Sequence, residues 1–197
     1  MQTKIPILRH LPKYWDGEGM AFWGSVTGWY DGDMKSTALR SALFLRNLVF
    51  GVEDGLVSTV GLLSGIAIAG VPRGTIFLTG VVLIFVEAFS MAAGSFLSEA
   101  SVEEMDGGVD DMRGSITAGA IMFVAYFVAG FIPLFPYLKF EVGQAFPLSI
   151  VCSVVALLGL GYWSGRKTKV AWRKAVRMAF VGGLAILVGV LAGSMLA

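Results

Sequence analysis

Five stretches of about twenty predominantly apolar residues divide this chain, each long enough to cross the hydrocarbon core of a bilayer as a helix. They run from Ala42 to Ala69, Gly74 to Ser98, Ser115 to Leu138, Ala145 to Ser164 and Val176 to Met195. Lipid offers no partner to backbone N–H and C=O groups, so a span must satisfy them internally, and a helix does so. The expected fold is an all-α membrane protein of five transmembrane helices. A hydrophobic share of 56% exceeds that of an ordinary soluble domain and agrees with this reading.

Five spans place the termini on opposite sides of the membrane, and the distribution of Lys and Arg chooses the cytoplasmic one. Thirteen of the 15 basic residues collect on the N-terminal side: Lys4, Arg9, Lys13, Lys35, Arg40, Arg46, Arg113, Arg166, Lys167, Lys169, Arg173, Lys174 and Arg177. Arg73 and Lys139 mark the other side. The N-terminus is therefore expected in the cytoplasm, and the formal net charge of +1 conceals a strong segregation. Gly70-Val71-Pro72-Arg73-Gly74 reads as a tight turn that makes the first two spans an antiparallel hairpin.

Residues 41–197 read as the transmembrane domain, with a short acidic cytoplasmic loop over 99–113. Residues 1–40 read as a cytoplasmic segment in which Trp15, Phe22, Trp23, Trp29 and Tyr30 alternate with acids. Such rings favour the headgroup level, so the segment is expected against the membrane surface, the alternative being a disordered tail. His10 is a solvated imidazole there. Cys152 is a small buried hydrophobe, which excludes a disulfide framework. No basic stripe interleaved with aromatics suggests nucleic acid, and no nucleophile with His support suggests an enzyme.

Glu53, Asp54 and Glu87 stand inside these apolar spans. A charge near the bilayer centre costs roughly 2.5 to 3.5 kcal/mol on insertion scales, so three cost roughly 9 kcal/mol, and acids kept there commonly serve an ion or proton pathway. Asp54 lies twelve residues from Ala42, and Glu87 eleven from Ser98. Both are then about 17 to 18 Å deep and can face each other. Met91 follows Glu87 by four residues on the same helix face. Its thioether tilts a carboxylate site from Mg, Ca or Mn toward iron and later transition metals, although a Met in an apolar helix also serves as plain packing.

Two further features bear on the path. Gly51, Gly55, Gly61 and Gly65 on the first span and Ser90, Gly94 and Ser98 on the second recur at four-residue spacing. Small residues in that pattern let helices approach closely in lipid, so the first two helices are expected to make the main contact, with a homodimer interface as its natural place. Glu99, Glu103 and Glu104 open an acidic run. If the second helix continues past the interface, Glu99 and Glu103 stack and could share a hard cation, and the run would concentrate cations at the entry. Most charge runs are simply solvated.

These residues resemble the vacuolar iron transporter family, which includes the yeast calcium-cross-complementing transporter and plant vacuolar iron transporters. The resemblance rests on Val49-Phe50-Gly51 with Asp54-Gly55-Leu56-Val57-Ser58-Thr59, on Ser90-Met91-Ala92-Ala93-Gly94, and on the double-proline run Pro133-Leu134-Phe135-Pro136-Tyr137. It implies a five-helix homodimer with the ion path at the two-fold axis, exporting Fe(II) from the cytosol against protons, with Asp54 and Met91 as intramembrane ligands. The chain departs from the family pattern at Glu53, where Asn is common, in a Glu87 about a turn nearer the Met, and in a short acidic segment in place of a long cytoplasmic metal-binding domain.

The expected function is proton-coupled export of a divalent transition metal, Fe(II) first and Mn(II) next. The metal is cargo, protons are the coupling ion, and no resident cofactor is expected. The host would be a plasma membrane in a prokaryote and a vacuolar-type membrane in a eukaryote. Rivals are a passive divalent-cation channel, a proton-linked transporter of another solute, and a scaffold whose acids pair within the dimer. The sequence lacks the discontinuous helix pair that cradles organic substrates.

Overall fold

The computed structural model describes residues 32–105, 112–166 and 171–197, with only the backbone given for residues 32–41, 103, 105 and 196. The readings made for residues 1–31, for Asp106, Asp110 and Asp111, and for Lys167 and Lys169 lie outside the described residues. Five helices follow one another: α1 Gly32–Ile68, α2 Arg73–Met105, α3 Arg113–Lys139, α4 Val142–Gly165 and α5 Ala171–Leu196. The described residues contain no strand. All five helices are long and apolar enough to span, over Ala42–Ile68, Arg73–Val102, Arg113–Leu134, Val142–Gly165 and Ala171–Met195. Residues 42–197 form one compact unit.

Two helices outrun the apolar stretches that announced them. α1 begins at Gly32, ten residues before its span, and α2 runs on to Met105, so residues 99–105 are helix where a loop over 99–113 was expected. α3 likewise continues through Pro133 and Pro136 to Lys139. Near Pro133 the backbone gains a tie to the next helix, because Ser149 Oγ donates to the Pro133 carbonyl at 2.7 Å.

The α1–α2 turn is the tight one expected. Gly70 takes the left-handed conformation at φ +74°, which a side chain would resist. Its N–H donates to the Ala67 carbonyl at 3.2 Å and the Val71 N–H to Ile66 at 3.3 Å, which satisfies two carbonyls at the end of α1. Pro72 follows, and its carbonyl accepts the first N–H groups of α2, from Thr75 and Ile76. Ile66 and Val71 both pack on a core of Leu63, Ile76, Ile84, Leu134 and Tyr137.

Packing departs from expectation in one respect. The glycines of α1 do not serve α2. A Cβ on Gly55 would stand 2.6 Å from the Tyr126 carbonyl, and one on Gly51 2.8 Å from the Ala125 Cβ, so this pair brings α3 against α1. Gly61 abuts Ala185, and a Cβ on Gly65 would stand 2.6 Å from the Gly189 carbonyl, so the second pair brings in α5. These contacts advance together along the chain, so α1, α3 and α5 run parallel. By contrast Gly94 on α2 has nothing within 4 Å of an added Cβ, and Ser90 and Ser98 are exposed. More than half of the α1 span is buried, 56%, against 22% for α2 and 17% for α5, so α1 is the enclosed helix, and α2, like α5, has an open face. Val82, Val86, Phe89, Ser90, Gly94 and Leu97 form that face.

Candidate ion pathway

Helix register fixes the level of each acid. Gly130 of α3 touches both Thr59 of α1 and Ile84 of α2, so these three positions share a level. Asp54 lies five residues before Thr59 and Glu87 three after Ile84, placing them about 7.5 and 4.5 Å from that level toward the same end. The two carboxylates are thus separated by about 3 Å along the axis, and they are close enough for their charges to act on each other. Both side chains are half-buried, as is Met91 one turn further along the Glu87 face. By the same register Asp54 lies between the levels of Glu87 and Met91, about 3 Å from each along the axis.

A hydroxyl pair ties the α1 backbone at Asp54 to α3. Ser58 Oγ donates to the Asp54 carbonyl at 2.7 Å and also pairs with the Tyr126 hydroxyl. Serine has one hydrogen to give, so Tyr126 O–H donates to Ser58 Oγ. Tyr126 is fully buried, and its nearest acids are Asp54 and Glu87. Thr59 Oγ1 approaches the same phenol without a hydrogen bond of normal geometry and remains buried and unpartnered. Sequence reasoning passed over Tyr126. Its available signal was a phenol in the middle of an otherwise apolar third span.

Glu53 belongs elsewhere. Consecutive helical residues point about 100° apart, so Asp54 and its neighbour cannot face the same partners. Glu53 faces α5, where it lines a groove with Arg173, Lys174, Arg177, Met178 and Val181 and lies in the field of Lys174. Of the three acids within the apolar spans, Glu53 is thus the one beside a Lys.

Glu99 and Glu103 stand four residues apart on the continuous α2, as their proposed stacking requires, with Glu99 half-buried and Glu104 exposed. The Glu103 side chain lies outside the described residues. Among the described residues no three His, Cys, Asp or Glu side chains converge. One chain therefore offers two carboxylates and one thioether at the candidate site.

Five helices long and apolar enough to span define a multi-pass integral membrane protein, with Asp54 and Glu87 at neighbouring levels within its apolar helices. The family model of the VIT family matches residues 45–108 and 102–194, and the chain belongs to this family of vacuolar iron transporters. Members move divalent metal ions across membranes and are transporters, not enzymes. No curated protein matches the chain.

Proposed function

We propose that the chain exports divalent transition metal from the cytosol in exchange for protons, with Fe(II) the preferred cargo and Mn(II) the next. The observation that carries this reading is the level pairing of Asp54 and Glu87, two half-buried carboxylates whose charges meet inside apolar helices. Two neighbouring carboxylates can exchange two protons for one divalent cation and so stay neutral in both states. Met91 supplies a soft donor that favours Fe(II) over Mn(II).

The working unit in this reading is a homodimer. The open α2 face lies beside Glu87, and apposing two copies there would double the donors to four carboxylates and two thioethers around a two-fold axis. Val86 at 60% and Phe89 at 70% exposure, with the bare Gly94 between flanking turns, give that face the small and apolar composition that helices in lipid pack with. The N-terminus faces the cytoplasm, since Arg46, Arg113, Arg166, Arg173, Lys174 and Arg177 lie at the end where α1, α3 and α5 begin, against Arg73 and Lys139 at the other. Glu99, Glu103 and Glu104 would then gather cations at the cytoplasmic mouth, acting through a field that salt screens within about 8 to 10 Å.

Flux of Fe(II), Mn(II), Zn(II) and Ca(II) into proteoliposomes, with each metal offered alone and then in competition, tests the cargo. Fe(II) should move fastest and Mn(II) should compete best. Ca(II) as the preferred ion would overturn the transition-metal reading.

A further inference from the structure

The groove that receives Glu53 is not part of the carboxylate pair, and its composition asks for an anion. It encloses about 460 Å³ between α1 and α5, lined by Arg173, Lys174 and Arg177 with Met178 and Val181. The parallel register that sets Gly61 beside Ala185 brings Glu53 level with Arg177, while Arg173 and Lys174 stand about one turn nearer the end of the span. Lys174 and Glu53 offset each other. Arg173 and Arg177 form no ion pair among the described residues. They are four residues apart and so share one face of α5, where their guanidinium forks can meet one phosphate from two sides.

The same two arginines also wall a second cavity of about 490 Å³, completed by Trp172, Val176 and Phe180. Those three follow one another at four-residue spacing and are 67%, 47% and 65% exposed, an apolar stripe running inward from an indole at the membrane border. A pair of arginines continued by an open apolar stripe along the helix matches the headgroup and acyl chain of a phospholipid. We infer that an acidic phospholipid occupies this face, its phosphate between Arg173 and Arg177 and an acyl chain along Val176 and Phe180. Basic pockets between spanning helices on the cytoplasmic side bind acidic headgroups by the same chemistry.

The full chain in neutral detergent, titrated with phosphatidylglycerol or phosphatidylcholine and read by native mass spectrometry and thermal unfolding, tests this. Phosphatidylglycerol should remain bound and raise the unfolding midpoint, high salt should weaken the effect, and phosphatidylcholine should do little. Arg173→Gln with Arg177→Gln should lower phosphatidylglycerol affinity about fivefold per arginine, whereas Lys at both positions should retain most of it. Equal binding of the two lipids, or an undiminished preference in the double Gln variant, would overturn the inference. Protection by millimolar inorganic phosphate as strong as that by phosphatidylglycerol would overturn it too, by showing a free-phosphate site. The comparison of the two lipids on the unaltered protein stands even if the Gln variant does not fold.

Discussion

Asp54 and Glu53 are neighbours in sequence and opposites in surroundings. The helical step leaves one in the field of Glu87 and the other in that of Lys174. Glu87→Gln, which keeps the shape but cannot trade a proton, should stop metal movement or detach it from the pH gradient, with any residual flux losing its pH dependence. Unchanged flux with an unchanged pH profile would exclude Glu87 as the coupling group. Met91→Leu conserves volume, so folding should change by less than about 1.5 kcal/mol, while Fe(II) flux should fall more than Mn(II) flux. Equal falls would reduce Met91 to packing. Tyr126→Phe removes the donor to Ser58 but leaves the Ser58 bond to the Asp54 carbonyl, so it should cost about 0.5 to 1.5 kcal/mol in thermal unfolding. A Phe variant as stable as the parent would contradict the hydrogen bond.

Among the elements, α1 is enclosed within the chain, whereas α2 buries one face, through Ile76 and Ile84, and leaves the other open. Gly55→Ala would force its new methyl against the Tyr126 carbonyl and should destabilise the fold by about 1 to 3 kcal/mol, seen as a lowered unfolding midpoint. Gly94→Leu meets nothing within the chain and should leave the fold intact while turning dimers into monomers by light scattering in detergent. A dimer that survives Gly94→Leu would move the interface off this face. The five spans were legible because hydropathy over twenty residues is a local signal. The polar extensions to Gly32 and Met105 were not, since a helix beyond the bilayer no longer needs apolar residues. Counting residues put Asp54 and Glu87 at similar levels, and helix register sets them about 3 Å apart along the axis. Which helix the small residues of α1 would face was not legible, because that choice depends on α3 and α5, more than fifty residues away in sequence. For the same reason neither the Lys174 side of Glu53 nor the place of Tyr126 could be read in advance.

At the scale of the whole molecule, basic residues at one end, an acid pair within the apolar helices and an open helix face are the three features on which the proposed two-copy metal exporter rests. The family gives divalent metal transport, and the proposed coupling to protons rests on the Asp54 and Glu87 pair. The most direct test is Fe(II) accumulation in proteoliposomes with an acidic lumen, measured with and without a protonophore and alongside Asp54→Asn. The account predicts that Fe(II) enters against its own gradient, that alkaline medium appears inside as it does, that the protonophore abolishes the accumulation, and that a folded Asp54→Asn protein moves no metal. Fe(II) that only runs downhill, at a rate indifferent to the pH gradient, or Asp54→Asn transporting like the parent, would contradict it.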